Sequence, residues 1–91
     1  MKFLIIWWLQ IGPQVTPQMG QAVLKMAEYS KELIEKGKLE KHYHIVGKHG
    51  AAWICDVESN DELELILARS PVYNFAQYEI YALTEMKSGV L

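Results

Sequence analysis

The sequence predicts an α+β fold whose elements run β-α-β-β-α-β. Three observations predict it. Residues 3–9 and 51–57 are nearly continuous runs of apolar residues, short enough to be buried strands. Between Met19 and Ile34 the apolar residues recur at spacings of three and four, the stripe of an amphipathic helix. Cap and turn residues stand at each break between these patterns. The 91 residues are expected to form one domain, with residues 84–91 as a tail.

The first strand is Phe3 to Leu9, rich in Ile and Trp, and Gln10, Gly12 and Pro13 stop it. Thr16 before Pro17 reads as an N-cap followed by proline at the first helical position. Met19, Ala22, Val23, Met26, Tyr29, Leu33 and Ile34 give the helix its apolar stripe, and Gly37 stands where a C-cap glycine belongs. Residues 38–47 alternate imperfectly, as a half-buried strand does. Gly47 to Gly50 turns the chain into a second hairpin strand, Ala51 to Val57. Ser59 and Glu62 form a capping box, with Asp61 adding favourable charge, and Leu63, Ile66 and Leu67 stripe the second helix. It ends at Ser70-Pro71, and a last strand runs from about Phe75 to Leu83. This order is the split βαβ, or ferredoxin-like, arrangement. It places strands one and three in the middle of an antiparallel sheet and strands two and four at its edges, with both helices on one face.

Composition narrows the function. Hydrophobic residues make up 51% of the chain, at the upper end for a soluble domain. The uncovered sheet face is therefore expected to be buried against a second copy, as a homodimer or larger homo-oligomer. A formal charge of −2 argues against a nucleic-acid partner. The apolar start of the chain is too short to span a bilayer and lacks a cleavage site, so no membrane partner is expected. Cys55 is the lone cysteine, which excludes an internal disulfide and fits a cytoplasmic setting. It reads as a small core hydrophobe rather than a nucleophile.

Alternation along the strands sorts the candidate site residues. On strand two, Leu39, Tyr43 and Ile45 suit the helix-covered face, leaving Glu40, His42, His44 and Val46 on the other. On strand four, Ala76, Tyr78, Ile80 and Ala82 suit the helices, leaving Gln77, Glu79 and Tyr81 opposite. A small-molecule pocket is then expected from His42, His44, Gln77, Glu79 and Tyr81 among tryptophans, with Trp53 and either Trp7 or Trp8 lining it. His42 and His44 have the spacing of a metal pair but no clear third ligand, so neither metal nor organic cofactor is expected. Glu79 reads either as a general base or as a partly exposed edge carboxylate or an interface ion pair. Asp56 reads as structural and His49 as a solvated turn residue.

From Glu28 to Leu83 the chain resembles the muconolactone isomerase family of dimeric α+β barrels. The residues that carry the resemblance are Glu28, Gly37, Tyr43-His44-Ile45-Val46-Gly47, Asp56-Val57, Ser59 with Glu62-Leu63, and Ser70-Pro71-Val72-Tyr73 running to Glu79-Ile80-Tyr81-Ala82-Leu83. The resemblance implies a cofactor-free isomerase that moves a proton on a small unsaturated lactone or related carbonyl compound; the alternative reading is a non-catalytic small-molecule-binding or structural dimer module of the same fold. It implies Glu79 as the base, His44 as donor to the enolate oxygen, and Tyr81 and His42 as positioning residues. Where that family has an arginine this chain has His44, and the family's polar residues on strand one are Ile and Trp here. The pocket should therefore be less cationic and more aromatic. Glu79 and His44 stand on opposite sheet edges, so they are expected to meet only if the sheet curls strongly or a second copy supplies one of them.

Overall fold

The computed structural model describes residues 1–12 and 15–87. Pro13, read as part of the stop after the first strand, and residues 88–91 of the tail lie outside the described residues. The elements are β1 (Lys2–Leu9), α1 (Pro17–Glu35), β2 (Leu39–His44), β3 (Gly50–Asp56), α2 (Asn60–Ala68) and β4 (Ala76–Leu83). A 3-10 turn at Tyr73–Phe75 leads into β4, so that strand starts one residue later than its apolar pattern suggests. The sheet order is β2-β3-β1-β4 and every pairing is antiparallel. This is the expected α+β, ferredoxin-like architecture.

The helix ends follow from local chemistry. The Thr16 hydroxyl accepts the Met19 N–H at 3.2 Å, and Pro17 opens α1 where no N–H is needed. Gly37 has φ of 72° and closes α1 in a Schellman motif, with Lys38 N–H donating to Leu33 and Gly37 N–H to Ile34. At α2 the Ser59 hydroxyl accepts the Glu62 N–H at 3.1 Å. The Glu62 carboxylate reaches back to the Glu58 N–H, one residue before the position a capping box uses. Lys38, 3.0 Å from Glu62, holds that carboxyl below the usual range.

Both helices lie on one face of the sheet. Phe3, Ile5, Leu39, Trp53 and Cys55 from the strands pack with Met26 and Leu33 of α1 and with Leu63, Ile66 and Leu67 of α2. The Tyr29 hydroxyl donates to the Ile66 carbonyl and ties the helices together. Burial pushes the Tyr29 phenol up to about 12. Val23 and Ile34, read as part of the buried stripe of α1, are in fact largely exposed.

Register decides which tryptophan faces inward. Phe3, Ile5 and Trp7 pair with Cys55, Trp53 and Ala51 on one side and with Ala82, Ile80 and Tyr78 on the other. All of these share the helix face. Trp8 therefore falls on the open face, with Leu4, Ile6, Ala52 and Ile54. The expected parity of β4 agrees with this register. The expected parity of β2 does not. Leu39 pairs with Cys55, but Lys41 pairs with Ile54, so two steps on β2 match one on β3. This β-bulge resets the alternation. His42 and His44 turn to the helix face, opposite Trp53 and Ala51, and Tyr43 turns to the open face.

The β1–β3 approach is very close at Gly50. A methyl group there would press on the Trp7 carbonyl and lie 2.7 Å from the Trp8 Cα. Both obstacles are backbone and cannot swing away. Gly50→Ala is expected to cost about 3 kcal/mol or more, above the usual range for overpacking. Urea unfolding monitored by circular dichroism checks this, and a change under 1 kcal/mol would contradict the contact.

Candidate functional site

A cavity of about 320 Å³ opens between α1 and the ends of β1, β2 and β3. Three imidazoles reach it. His42 and His44 are two residues apart on one strand face, so their backbones are separated by about 6.7 Å. His49 comes from the turn after β2, whose carbonyl accepts the Leu9 N–H at 2.8 Å and so anchors the turn to β1. Trp7 and Trp53 form the floor as an edge-to-face pair, ring centroids 5.9 Å apart at 84°. Met26, Ala27 and Ser30 of α1 form the roof.

The cavity holds aromatic and imidazole groups but no fixed charge. Among the described residues, no Lys, Arg, Asp or Glu lines it. Lys48, in the same turn as His49, lies instead on the open face with its ammonium 4.5 Å from the centre of the Trp8 ring. The Trp7 indole N–H is buried and has no hydrogen-bond partner among the described residues. The same holds for the hydroxyl of Tyr78, its cross-strand neighbour on the helix face. A buried unmet donor costs about 1–3 kcal/mol.

The second polar group of interest is on the open face. The Tyr81 hydroxyl donates to the Glu79 carboxylate at 2.9 Å, which raises the Tyr81 phenol above its ordinary value. Gln77 donates to the Gln10 side-chain carbonyl at 2.7 Å. All three residues are exposed in the single chain.

The model of the muconolactone delta-isomerase family matches residues 1–88 of the chain. This chain belongs to the muconolactone delta-isomerase family. It is 37% identical over 75 residues to the muconolactone delta-isomerase of Acinetobacter baylyi, covering 82% of this chain and 78% of that one. It is 39% identical over 70 residues to that of Rhodococcus opacus, covering 77% and 75%. Its fold matches a crystal structure of muconolactone isomerase with a TM-score of 0.87 at 20% identity, over 100% of this chain and 96% of that one. It also matches 5-chloro-2-hydroxyhydroquinone dehydrochlorinase from Burkholderia phenoliruptrix AC1100, solved with 2,5-dihydroxybenzoquinone, at a TM-score of 0.71 and 17% identity, over 94% and 96%.

In this member of the muconolactone delta-isomerase family, the residues expected in one pocket divide between two faces. His42, His44, Trp7 and Trp53 come together at the cavity under α1. Gln77, Glu79 and Tyr81 lie behind the sheet, on the open face. Within one chain Glu79 and His44 do not share a pocket, because the bulge turned β2 and left β4 as expected. His49 is exposed, as expected of a solvated turn residue, and it also lines the cavity, as do Met26 and Ser30. Its place beside Gly50, where the hairpin closes on β1, is the one local hint. Among the described residues no group of three or more His, Cys, Asp or Glu is arranged to hold a metal ion.

Cys55 is fully buried in the core and burial pushes its thiol up to about 11. It is expected to resist a thiol reagent at pH 8 in the folded protein and to react at once in denaturant, as followed by absorbance with a disulfide dye. Burying the neutral thiol stabilises the fold fully below its unfolded value, near 9.0, and this contribution is lost as pH rises through about 11.

Proposed function

We propose that this protein is a cofactor-free isomerase that shifts a ring double bond in a small unsaturated lactone or related carbonyl compound. The observation that carries the reading is the cavity lined by His42, His44 and His49 beside Trp7 and Trp53. Family membership supports it, since relatives more than one-third identical are muconolactone delta-isomerases. The shift requires a base to take a proton from one ring carbon, donors to hold the enolate oxygen, and return of the proton to a second carbon. An imidazole is the commonest general acid and base, so His44, with His42 beside it, carries the proton. The N–H of the other imidazole holds the oxygen while negative charge sits on it. Trp53 sets the plane of the ring. The proton that leaves one carbon reaches the other, so no oxidant, reductant or metal enters the balance.

Because Glu79 and Tyr81 stand behind the sheet, the base is assigned to the imidazoles and not to Glu79. His44→Ala is expected to lower kcat/KM by about 10²-fold or more, within the usual range for general acid–base catalysis. Glu79→Gln is expected to change it less than His44→Ala does. Deuterium uptake at the shifting carbon, followed by NMR, reads the chemical step directly. Full activity in the His42→Ala/His44→Ala protein would rule out this cavity as the site.

The open face carries Leu4, Ile6, Trp8 and Ile54, only half-buried in the single chain, beside the exposed Tyr43 and Tyr81. We propose that a second copy of the chain covers it, in a homodimer or larger homo-oligomer working in the cytoplasm, where the lone thiol stays reduced. Light scattering is expected to give a multiple of the 10.5 kDa chain mass. Trp8→Glu is expected to drive the species toward monomer, since a charge would be buried against an apolar surface. A stable wild-type monomer at micromolar concentration would contradict the proposal.

A further inference from the structure

We infer that the second copy sits on the open face about a two-fold axis running along the strands, between β1 and β3, so that Glu79 of one copy pairs with Lys41 of the other. This rests on the reading that a second copy covers this face, and it names how that copy is oriented. The register divides the open face into rows that cross the sheet from β2 to β4. One row is Lys41, Ile54, Leu4 and Tyr81, and the next is Tyr43, Ala52, Ile6 and Glu79. Towards one end of the strands, Asp56, Lys2 and Leu83 form another. Apolar residues fill the middle, while the β2 edge carries the Lys41 cation and the β4 edge carries the Glu79 carboxylate. The Tyr81 hydroxyl holds that carboxylate in place on the face. Among the described residues neither Lys41 nor Glu79 has an ion-pair partner. They cannot serve each other within one chain, because three strand intervals of roughly 4.8 Å, about 14 Å in all, separate the two edges.

Two identical sheets that meet face to face about a two-fold axis have two simple orientations. An axis across the strands lays β4 on β4 and β2 on β2. It gathers two Glu79 carboxylates along one edge and two Lys41 ammonium groups along the other, and like charges set together at an interface are costly. An axis along the strands lays β4 of one copy on β2 of the other. Glu79 then stands over the partner's Tyr43 and Lys41, across a sheet spacing of about 10 Å that two long side chains span. The same axis lays β1 on the partner's β3, which sets Lys2 over the partner's Asp56. Each contact occurs twice, once on either side of the axis. This orientation is self-complementary in charge and the other is not.

The test is charge reversal in the full-length protein, read as the dissociation constant by sedimentation equilibrium, with folding checked by circular dichroism. Glu79→Lys and Lys41→Glu are each expected to weaken association by about tenfold or more, since each sets like charges opposite one another. The double variant Glu79→Lys/Lys41→Glu restores the pair across the axis and is expected to return to within about threefold of the wild type. A double variant no tighter than the single ones overturns the inference, as do single variants that associate like the wild type. Cross-linking with a short bis-maleimide gives a second measurement, since the buried Cys55 is shielded from the reagent. Glu79→Cys and Tyr43→Cys proteins refolded together are expected to cross-link to each other, and neither to itself. Self-cross-linking of Glu79→Cys alone overturns the orientation and leaves the covering of the face by a second copy standing. A monomeric wild-type protein sinks both.

Discussion

β1 is hydrogen-bonded along both edges, to β3 and to β4, so none of its side chains is free to choose a face. Ile5 sits at the centre with no exposure, and its position settles that every odd-numbered residue of the strand faces the helices. From that one alignment follow the inward Trp7, the outward Trp8, the pairing of Trp7 with Trp53 and the parity of β4. Gly50 is the local condition for it. The hairpin can close on β1 only because no side chain stands between the backbones at that point.

The bulge between Leu39 and Lys41 then does for β2 what no pattern of apolar residues required. One extra residue lets Leu39 stay in the core while His42 and His44 also turn beneath α1. Glu40 takes up the offset on the open side, where Lys2 binds its carboxylate at 3.0 Å and is itself raised by that bond. The pair is exposed, so its contribution is small and it follows the bulge more than it causes it. The consequence is chemical. The imidazoles share a half-enclosed cavity with tryptophans, and the carboxylate and phenol of Glu79 and Tyr81 form a separate pair behind the sheet.

The two faces thus differ in kind. The helix side has a small cavity with titratable groups of one type and an unsatisfied donor. The open side has a broad apolar surface edged by polar residues, the make-up of a protein contact more than of a ligand site. Membership of the muconolactone delta-isomerase family supports an isomerase; proton chemistry at the first face and self-association at the second are what we propose. Aromatic and imidazole side chains set the character of the cavity.

The element order, both N-caps, the Gly37 stop and the antiparallel strand order were legible in the chain because each rests on local chemistry or on strong periodicity. Thr16-Pro17 and Ser59 with Glu62 satisfy N–H groups within a few residues, and an apolar strand seven residues long has few other places to go. The parity of β4 was legible too, since Ala76 and Ala82 alternate along the strand with Gln77, Glu79 and Tyr81. The face of β2 was not. A bulge depends on pairing with a strand already placed, and Leu39 to His44 contains no glycine or proline to announce it. His49 remains an exposed turn residue, and only the closing of the hairpin on Leu9 brings it to the edge of the cavity. The sequence by itself determined the fold and the residue types available for chemistry. Tertiary pairing alone decided which of them stand together, because a shift of one residue in register moves every later side chain to the other face of the sheet.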